Sequence, residues 1–258
     1  MSVFIIALSL NLFAKRDFSE EKQLIPVLDS TNVEISIMKG SILVTPTSRD
    51  SIFFYCIKSA GEGFSADDIT VKIDTTEGKT LKLSCSWENP DADYRGDIEV
   101  LLPKRILLKR AFTVSGDINI ENVSGDCSVE CFEGNIKVDG FNGLLSVYNM
   151  NGNIDIRNSQ SVKKAENLEG NINVAFKGEL ADSSLIKTTS GKILLSLERN
   201  ASAELMLHTL RGKVIVHGCL LKNTQFSEEN TKRVVINGGK SIITVENTEG
   251  DIELKYAD

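Results

Sequence analysis

From Gly116 onward the chain restarts one phrase every nine residues, and this repeat constrains the fold more than any other feature. The units beginning at positions 116, 125, 134, 143, 152, 161 and 170 open on Gly in every case except Ser161. Two residues later stand Ile118, Cys127, Ile136, Leu145, Ile154, Lys163 and Ile172. Four residues later stand Ile120, Val129, Val138, Val147, Ile156, Ala165 and Val174. A fixed short period means a stacked, quasi-one-dimensional fold in which each unit buries its apolar edge on the next. Offsets two and four share one face of a strand. The residues between them (Asn119, Ser128, Lys137, Ser146, Asp155, Asn173) are polar, so one face is dry and the other wet.

A third apolar residue recurs at offset seven, as Val123, Phe132, Phe141, Met150 and Leu168. There the chain is expected to turn a corner and point inward again, with Gly beside Ser, Asn, Asp or Glu supplying the turn. Alternate units sharpen the pattern: Ser115-Gly-Asp-Ile-Asn-Ile120, Glu133-Gly-Asn-Ile-Lys-Val138, Asn151-Gly-Asn-Ile-Asp-Ile156 and Glu169-Gly-Asn-Ile-Asn-Val174 are 18 residues apart. With 18 residues per coil, Ile118, Ile136, Ile154 and Ile172 become an interior ladder at the strand spacing of roughly 4.8 Å. Asp117, Asn135, Asn153 and Asn171 become an Asx ladder able to bond turn backbone along the stack. The chain is therefore expected to be an all-β, parallel β-solenoid with two strands per coil, although another number of strands per coil fits the same period. Lys163, at an apolar offset, points to a local slip that gives Val162 the inward place.

The pattern continues with insertions through Ser190-Gly-Lys-Ile-Leu-Leu195, Ala203-Glu-Leu-Met-Leu207 and Arg211-Gly-Lys-Val-Ile-Val216. It closes through Lys232-Arg-Val-Val-Ile236, Ser241-Ile-Ile-Thr-Val245 and Glu249-Gly-Asp-Ile-Glu-Leu254. Segment 220–231 breaks the rhythm and reads as an exposed loop. The domain plan is thus 105–258 as the solenoid and 17–104 as a less regular N-terminal β region that caps it. Within that region Gly40-Ser-Ile-Leu-Val44 already has the repeat's form, and 51–57, 69–73, 81–87 and 97–102 are strand-like. Such a cap hides a terminal coil edge that would otherwise invite polymerisation. Helix signals are weak and confined to 12–23 and 159–168. Residues 1–14 are an apolar run too short to span a bilayer. They read either as a signal-peptide core ending at Ala14 or as an apolar N-terminus packed on the solenoid end. The first reading places the protein in the envelope or outside the cell, the second in the cytoplasm.

No catalytic, cofactor-binding or metal-binding residues are assigned. The net charge of −7 argues against a nucleic-acid partner, and the basic run Lys104, Arg105, Lys109 and Arg110 reads as a solvated approach to the solenoid. Five cysteines cannot all pair. Cys127 and Cys219 read as core. Cys56 and Cys85 lie on separate strands and could pair in an exported protein. Cys127 and Cys131 have a metal-like spacing but are read as facing in and out respectively, against zinc. His208 and His217 read as outward neighbours on the surface with no acid or nucleophile beside them. Calcium is disfavoured because the turns carry a single Gly, so Asp117, Asp126 and Asp251 read as turn formers.

The order Gly40-Ser-Ile-Leu-Val44, Asp97-Ile-Glu-Val-Leu-Leu-Pro103, Val114-Ser-Gly-Asp-Ile-Asn-Ile120 and Asn247-Thr-Glu-Gly-Asp-Ile-Glu-Leu254 resembles the putative-adhesin family of β-solenoid domains, related to head-GIN autotransporter adhesins. The resemblance spans about 25 to 256 and implies a non-catalytic surface or envelope module with no agreed catalytic residues. The expected function is therefore non-enzymatic binding of a protein or glycan ligand. Two alternatives stand beside it. One is a bactofilin-like scaffold that polymerises through its coils. The other is a polysaccharide-acting β-helix enzyme, for which outward Asp155 and Glu253 are the nominees.

Overall fold

The computed structural model describes residues 16–28, 31–76, 79–159, 161–178, 180, 183–218, 220 and 224–257. Among these, the strands before residue 105 are β1 (Asp17–Pro26), β2 (Asn32–Lys39), β3 (Ile42–Thr47), β4 (Ser51–Ala60), β5 (Thr70–Thr76), β6 (Thr80–Ser86) and β7 (Tyr94–Pro103). Longer and shorter strands then alternate: β8 (Leu107–Ser115), β9 (Ile118–Glu121), β10 (Ser124–Glu133), β11 (Ile136–Asp139), β12 (Asn142–Asn151), β13 (Ile154–Ser159), β14 (Ser161–Glu169), β15 (Ile172–Phe176), β16 (Ser184–Ser190) and β17 (Ile193–Leu197). The last are β18 (Ala203–Arg211), β19 (Val214–Val216), β20 (Thr224–Ser227), β21 (Thr231–Ile236), β22 (Ser241–Glu249) and β23 (Ile252–Tyr256). They form an 11-stranded and a 12-stranded sheet that share one core, and each coil gives one strand to each sheet.

The parallel register pairs Ile118 with Ile136, Ile136 with Ile154 and Ile154 with Ile172, eighteen residues apart at each step. The same column runs on to Ile42 and Ile98 at one end and through Ile193 and Ile252 to Val214 at the other. Every member is at most 2% exposed. Burying each such side chain is worth about 2–3 kcal/mol, so a one-residue slip, which would turn the whole column to solvent, is strongly opposed. Val162 fills the inward place beside Leu145 across a register shift, and Lys163 faces out.

Stack order departs from chain order at both ends. The first coil, β2–β3, lies between coil β6–β7 and coil β8–β9. The last coil, β22–β23, lies between coil β16–β17 and coil β18–β19. The first and last coils are thereby clamped inside the stack, and a later or earlier segment closes over each. The closing strands are antiparallel: β4 and then β1 beyond β7, β5 beyond β6, and β21 and then β20 beyond β18. At the short edge of β19, the Val214 amide donates to the Glu229 carbonyl at 3.0 Å. Three of the four sheet edges therefore end on an antiparallel strand in place of a further parallel coil, and the fourth is the three-residue β19.

Several expectations change. Region 17–104 supplies two complete coils, β2–β3 and β6–β7, besides its closing strands. Positions 17–26 and 161–169 are strands, not helices, because pairing with β4 and the coil register override weak local helix preference. Of segment 220–231, residues 224–227 are a strand that doubles back on β21 through a turn in which the Glu228 amide donates to the Thr231 carbonyl at 2.9 Å. Residues 1–14 and Cys219 lie outside the described residues.

One corner has a common construction through most of the stack. The Asx ladder bonds backbone: Asp117 Oδ1 accepts from the Asn135 amide at 2.7 Å, Asn135 Oδ1 from Asn153 at 3.0 Å, and Asn153 Oδ1 from Asn171 at 3.0 Å. Inside the corner runs a second polar column that the repeat did not announce, reading Thr113, Cys131, Asn149, Asn167, Thr188, Asn247 and Thr209. Each donates to a glycine carbonyl of the adjacent coil, as in Asn149 Nδ2 to Gly134 at 3.0 Å, Asn167 Nδ2 to Gly152 at 2.8 Å and Thr209 Oγ1 to Gly250 at 2.9 Å. The column satisfies carbonyls that the turn would leave buried and unpaired.

The N-terminal strand is held by Asp93, whose carboxylate meets Lys39 Nζ at 2.5 Å and Arg16 Nη1 at 2.6 Å. Lys39 first, and Arg16 with it, hold that carboxyl below its ordinary value against partial burial. A depressed carboxylate stabilises the fold above its unfolded-state pKa, and the contribution is lost as pH falls through the folded-state value. Both partners are substantially solvated, so the effect is about 1 kcal/mol or less. Amide exchange across a pH series should show β1 opening on acidification before the Ile column does. Simultaneous opening of both would contradict this anchoring role.

Candidate functional site: an apolar stripe on the outer face

Strand alternation on the outer face of the 12-stranded sheet aligns Met38, Val114, Phe132, Met150 and Leu168 on the consecutive strands β2, β8, β10, β12 and β14. Four steps at the strand spacing make a stripe roughly 19 Å long. Met38 is 56% exposed, Leu168 41% and Met150 38%. The next outward column adds Phe112 and Tyr148. Phe112 and Phe132 meet edge to face at 5.8 Å, and the Arg110 guanidinium lies 4.8 Å over the Phe112 ring. Isolated exposed apolar residues are ordinary, but a contiguous patch with a polar rim marks an interaction surface.

That rim is charged and internally paired. Arg110 meets Glu130 at 3.1 Å, Lys164 meets Glu166 at 2.7 Å and Lys187 meets Glu246 at 3.1 Å. Partial burial works against ionisation of Glu130, but Arg110 and the Ser128 hydroxyl outweigh it and leave the carboxyl below its ordinary value. The stripe corrects the offset-seven expectation. Val123 and Phe141 do turn inward, at 5% and 2% exposed, whereas Phe132, Met150 and Leu168 face out. The long strands run on through this position, so parity sends offset six into the core and offset seven to solvent.

The other candidates are dispersed or engaged. Cys127 and Cys131 both face inward, contrary to the expected in-and-out arrangement, but stand four residues apart along one strand with Val129 between. That separation is about 13 Å. His208 lies on β18 of the 12-stranded sheet with Nδ1 2.8 Å from Thr231 Oγ1, while His217 follows β19 of the other sheet and stands 3.7 Å from Glu253. The two histidines are therefore not neighbours. Asp155 and Glu253 share one outward column three strand steps apart, about 14 Å, beyond the ~5–9.5 Å of paired glycosidase carboxylates. Each has basic partners that the sequence did not reveal: Arg157 at 2.8 Å from Asp155, and Lys192 beside Glu253. In the basic run, Arg105 bonds Asp50 at 3.1 Å and Arg110 turns to Glu130. Asp117 and Asp251 use Oδ1 to accept backbone amides. A concavity of about 110 Å³ beside Leu102, Lys104 and Val123 falls below the usual ~300 Å³ of a small-molecule site. No helix among the described residues is long and apolar enough to cross a membrane.

Fold and surface together define a closed-ended, two-sheeted β-solenoid that displays an apolar stripe on one flank. The chain belongs to the Toastrack DUF4097 family, whose profile matches residues 39–255, in keeping with the resemblance read from the repeat. No curated protein matches it in sequence. Among solved structures it is similar to a putative cell adhesion protein from Clostridium sporogenes (12% identity, 93% of this chain and 100% of that one, TM-score 0.45). It is also similar to a putative adhesin from Bacteroides fragilis (15%, 92% and 97%, TM-score 0.39) and a putative lipid binding protein from Parabacteroides distasonis (15%, 93% and 97%, TM-score 0.32).

Proposed function

We propose that the protein is a non-enzymatic binding module of the cell envelope, with the stripe Met38–Val114–Phe132–Met150–Leu168 as its contact surface for a protein ligand. The observation that carries this reading is the alignment of five outward apolar side chains on adjacent strands of a rigid sheet. Aliphatic and thioether groups dominate the column. Such a surface suits an apolar protein patch better than a sugar, because the polar groups around it are already paired with one another. Placement at the envelope rests on the apolar leader read in residues 1–14 and is tested by cell fractionation with sequencing of the mature N-terminus.

For the binding reading, the purified chain is screened against cell surfaces, matrix proteins and glycans. The Met150→Lys/Leu168→Lys double variant should reduce capture of a protein ligand about tenfold or more. Its melting temperature should stay close to that of the parent, because both side chains are already solvated. Undiminished binding by that variant, or capture of glycans alone, would overturn the assignment of this surface.

A further inference from the structure

The closing layer at the N-terminal end of the stack contains two buried thiols from opposite sheets. Cys56 on β4, in the 11-stranded sheet, and Cys85 on β6, in the 12-stranded sheet, are 0% and 4% exposed with their sulfurs 3.4 Å apart. The space between them is made by Gly96 on β7, where an added Cβ would stand 3.1 Å from Cys85 Sγ and 3.7 Å from Cys56 Sγ. Other glycines of this corner column, such as Gly40 and Gly116, need a positive φ, but Gly96 does not, so room for the sulfurs is what the missing side chain provides. The remaining described cysteines have no sulfur partner: Cys127 and Cys131 direct Sγ at the carbonyls of Ser128 and Gly116.

We infer that Cys56 and Cys85 are a covalent cross-linking site that forms one disulfide and staples the two sheets together at the end where the stack stops. The sulfurs need to close by only about 1.4 Å to reach bonding distance. This end needs a staple more than the middle, because β4 with β1 beyond it, and β5 on the other sheet, end the stack without a further coil above them. The oxidant is a disulfide donor. One cysteine thiolate attacks it to form a mixed disulfide and releases one thiol. The second cysteine then attacks that mixed disulfide, forms the Cys56–Cys85 bond and releases the second thiol. Two cysteine protons are lost in all, and the two electrons pass to the donor. Because both sulfurs are buried, the bond forms during folding or transient opening and is shielded from reductant afterwards.

The test refolds the full chain from denaturant in oxidised and reduced glutathione, with a fully reduced control. The expected product has lost two of its five titratable thiols, yields a Cys56–Cys85 linked peptide on digestion, and melts roughly 5–10 °C above the control. Cys85→Ala and Cys56→Ser should each abolish both the linked peptide and the shift. Mapping of the parent chain does not depend on how those variants fold. Five titratable thiols after oxidative refolding, a linked peptide joining other cysteines, or the same shift in Cys85→Ala would overturn the inference.

Discussion

Replacing Gly152 with Ala is expected to cost about 3–5 kcal/mol, one of the largest single-methyl effects this fold can show. Gly152 sits in the corner column at φ +128°, a conformation that side chains rarely adopt. Its Cβ would also stand well inside van der Waals contact of the Gly134 carbonyl oxygen, which belongs to the coil next to it. That carbonyl cannot retreat, because it is fixed from inside by Asn149 Nδ2 at 3.0 Å. Backbone strain and collision therefore add. Gly63 separates the two terms: it too has positive φ, at +85°, but an added Cβ would meet nothing within 4 Å. Gly63→Ala should cost only about 1 kcal/mol. Urea titrations of both variants give the comparison directly. If Gly152→Ala fell within about 1 kcal/mol of Gly63→Ala, the close stacking of corners would not be what selects glycine there.

This corner also shows what the sequence could and could not disclose. Ile118, Ile136, Ile154 and Ile172 were legible as one interior column because equal spacing and a single residue type leave one register that buries them all. The Asx ladder was legible for the same reason. The order of the coils was not. The phrase around Ile252 looks like every other, and nothing in a strand's alternation says that its neighbours will be Ile193 and Val214 rather than an end cap. The contact stripe is hidden in the sequence because Met150 and Leu168 are apolar, and composition alone sends them to the core. Counting parity from Val147 and Ala165 would have placed Asn149 and Asn167 inside and Met150 and Leu168 outside. Composition pointed one way and geometry the other, and the long strand, held by its neighbours, followed geometry. The approach of Cys56 to Cys85 depends on antiparallel closure of β4 over β7, a long-range pairing that no local pattern encodes.

The inner polar column leads to the second large effect, which has a distinctive pH dependence. Asn149 is fully buried and donates through Nδ2 to the Gly134 carbonyl, while its Oδ1 has no partner among the described residues. Asn149→Asp keeps the shape and removes the donor, leaving a carboxylate against a carbonyl oxygen. The nearest amide in the column, Asn167 Nδ2, is already committed to Gly152. At neutral pH the variant should lose about 3 kcal/mol or more relative to the parent. Burial raises the folded-state pKa of such a carboxyl above its unfolded value, so stability falls as pH rises and returns below the unfolded pKa. There the protonated group can donate its O–H to Gly134 in place of the amide, and the deficit should shrink to about 1 kcal/mol. Asn149→Thr is the matched control. Thr113, Thr188 and Thr209 occupy the same column in other coils and bond the corresponding glycine carbonyls at 3.0, 3.3 and 2.9 Å. That variant should stay within about 1 kcal/mol of the parent at every pH, since it keeps a donor and removes the unpartnered Oδ1. Unfolding free energies of the three proteins between acid and neutral pH decide the matter. A deficit for Asn149→Asp that does not change with pH would mean that the bond to Gly134 is not what holds this corner.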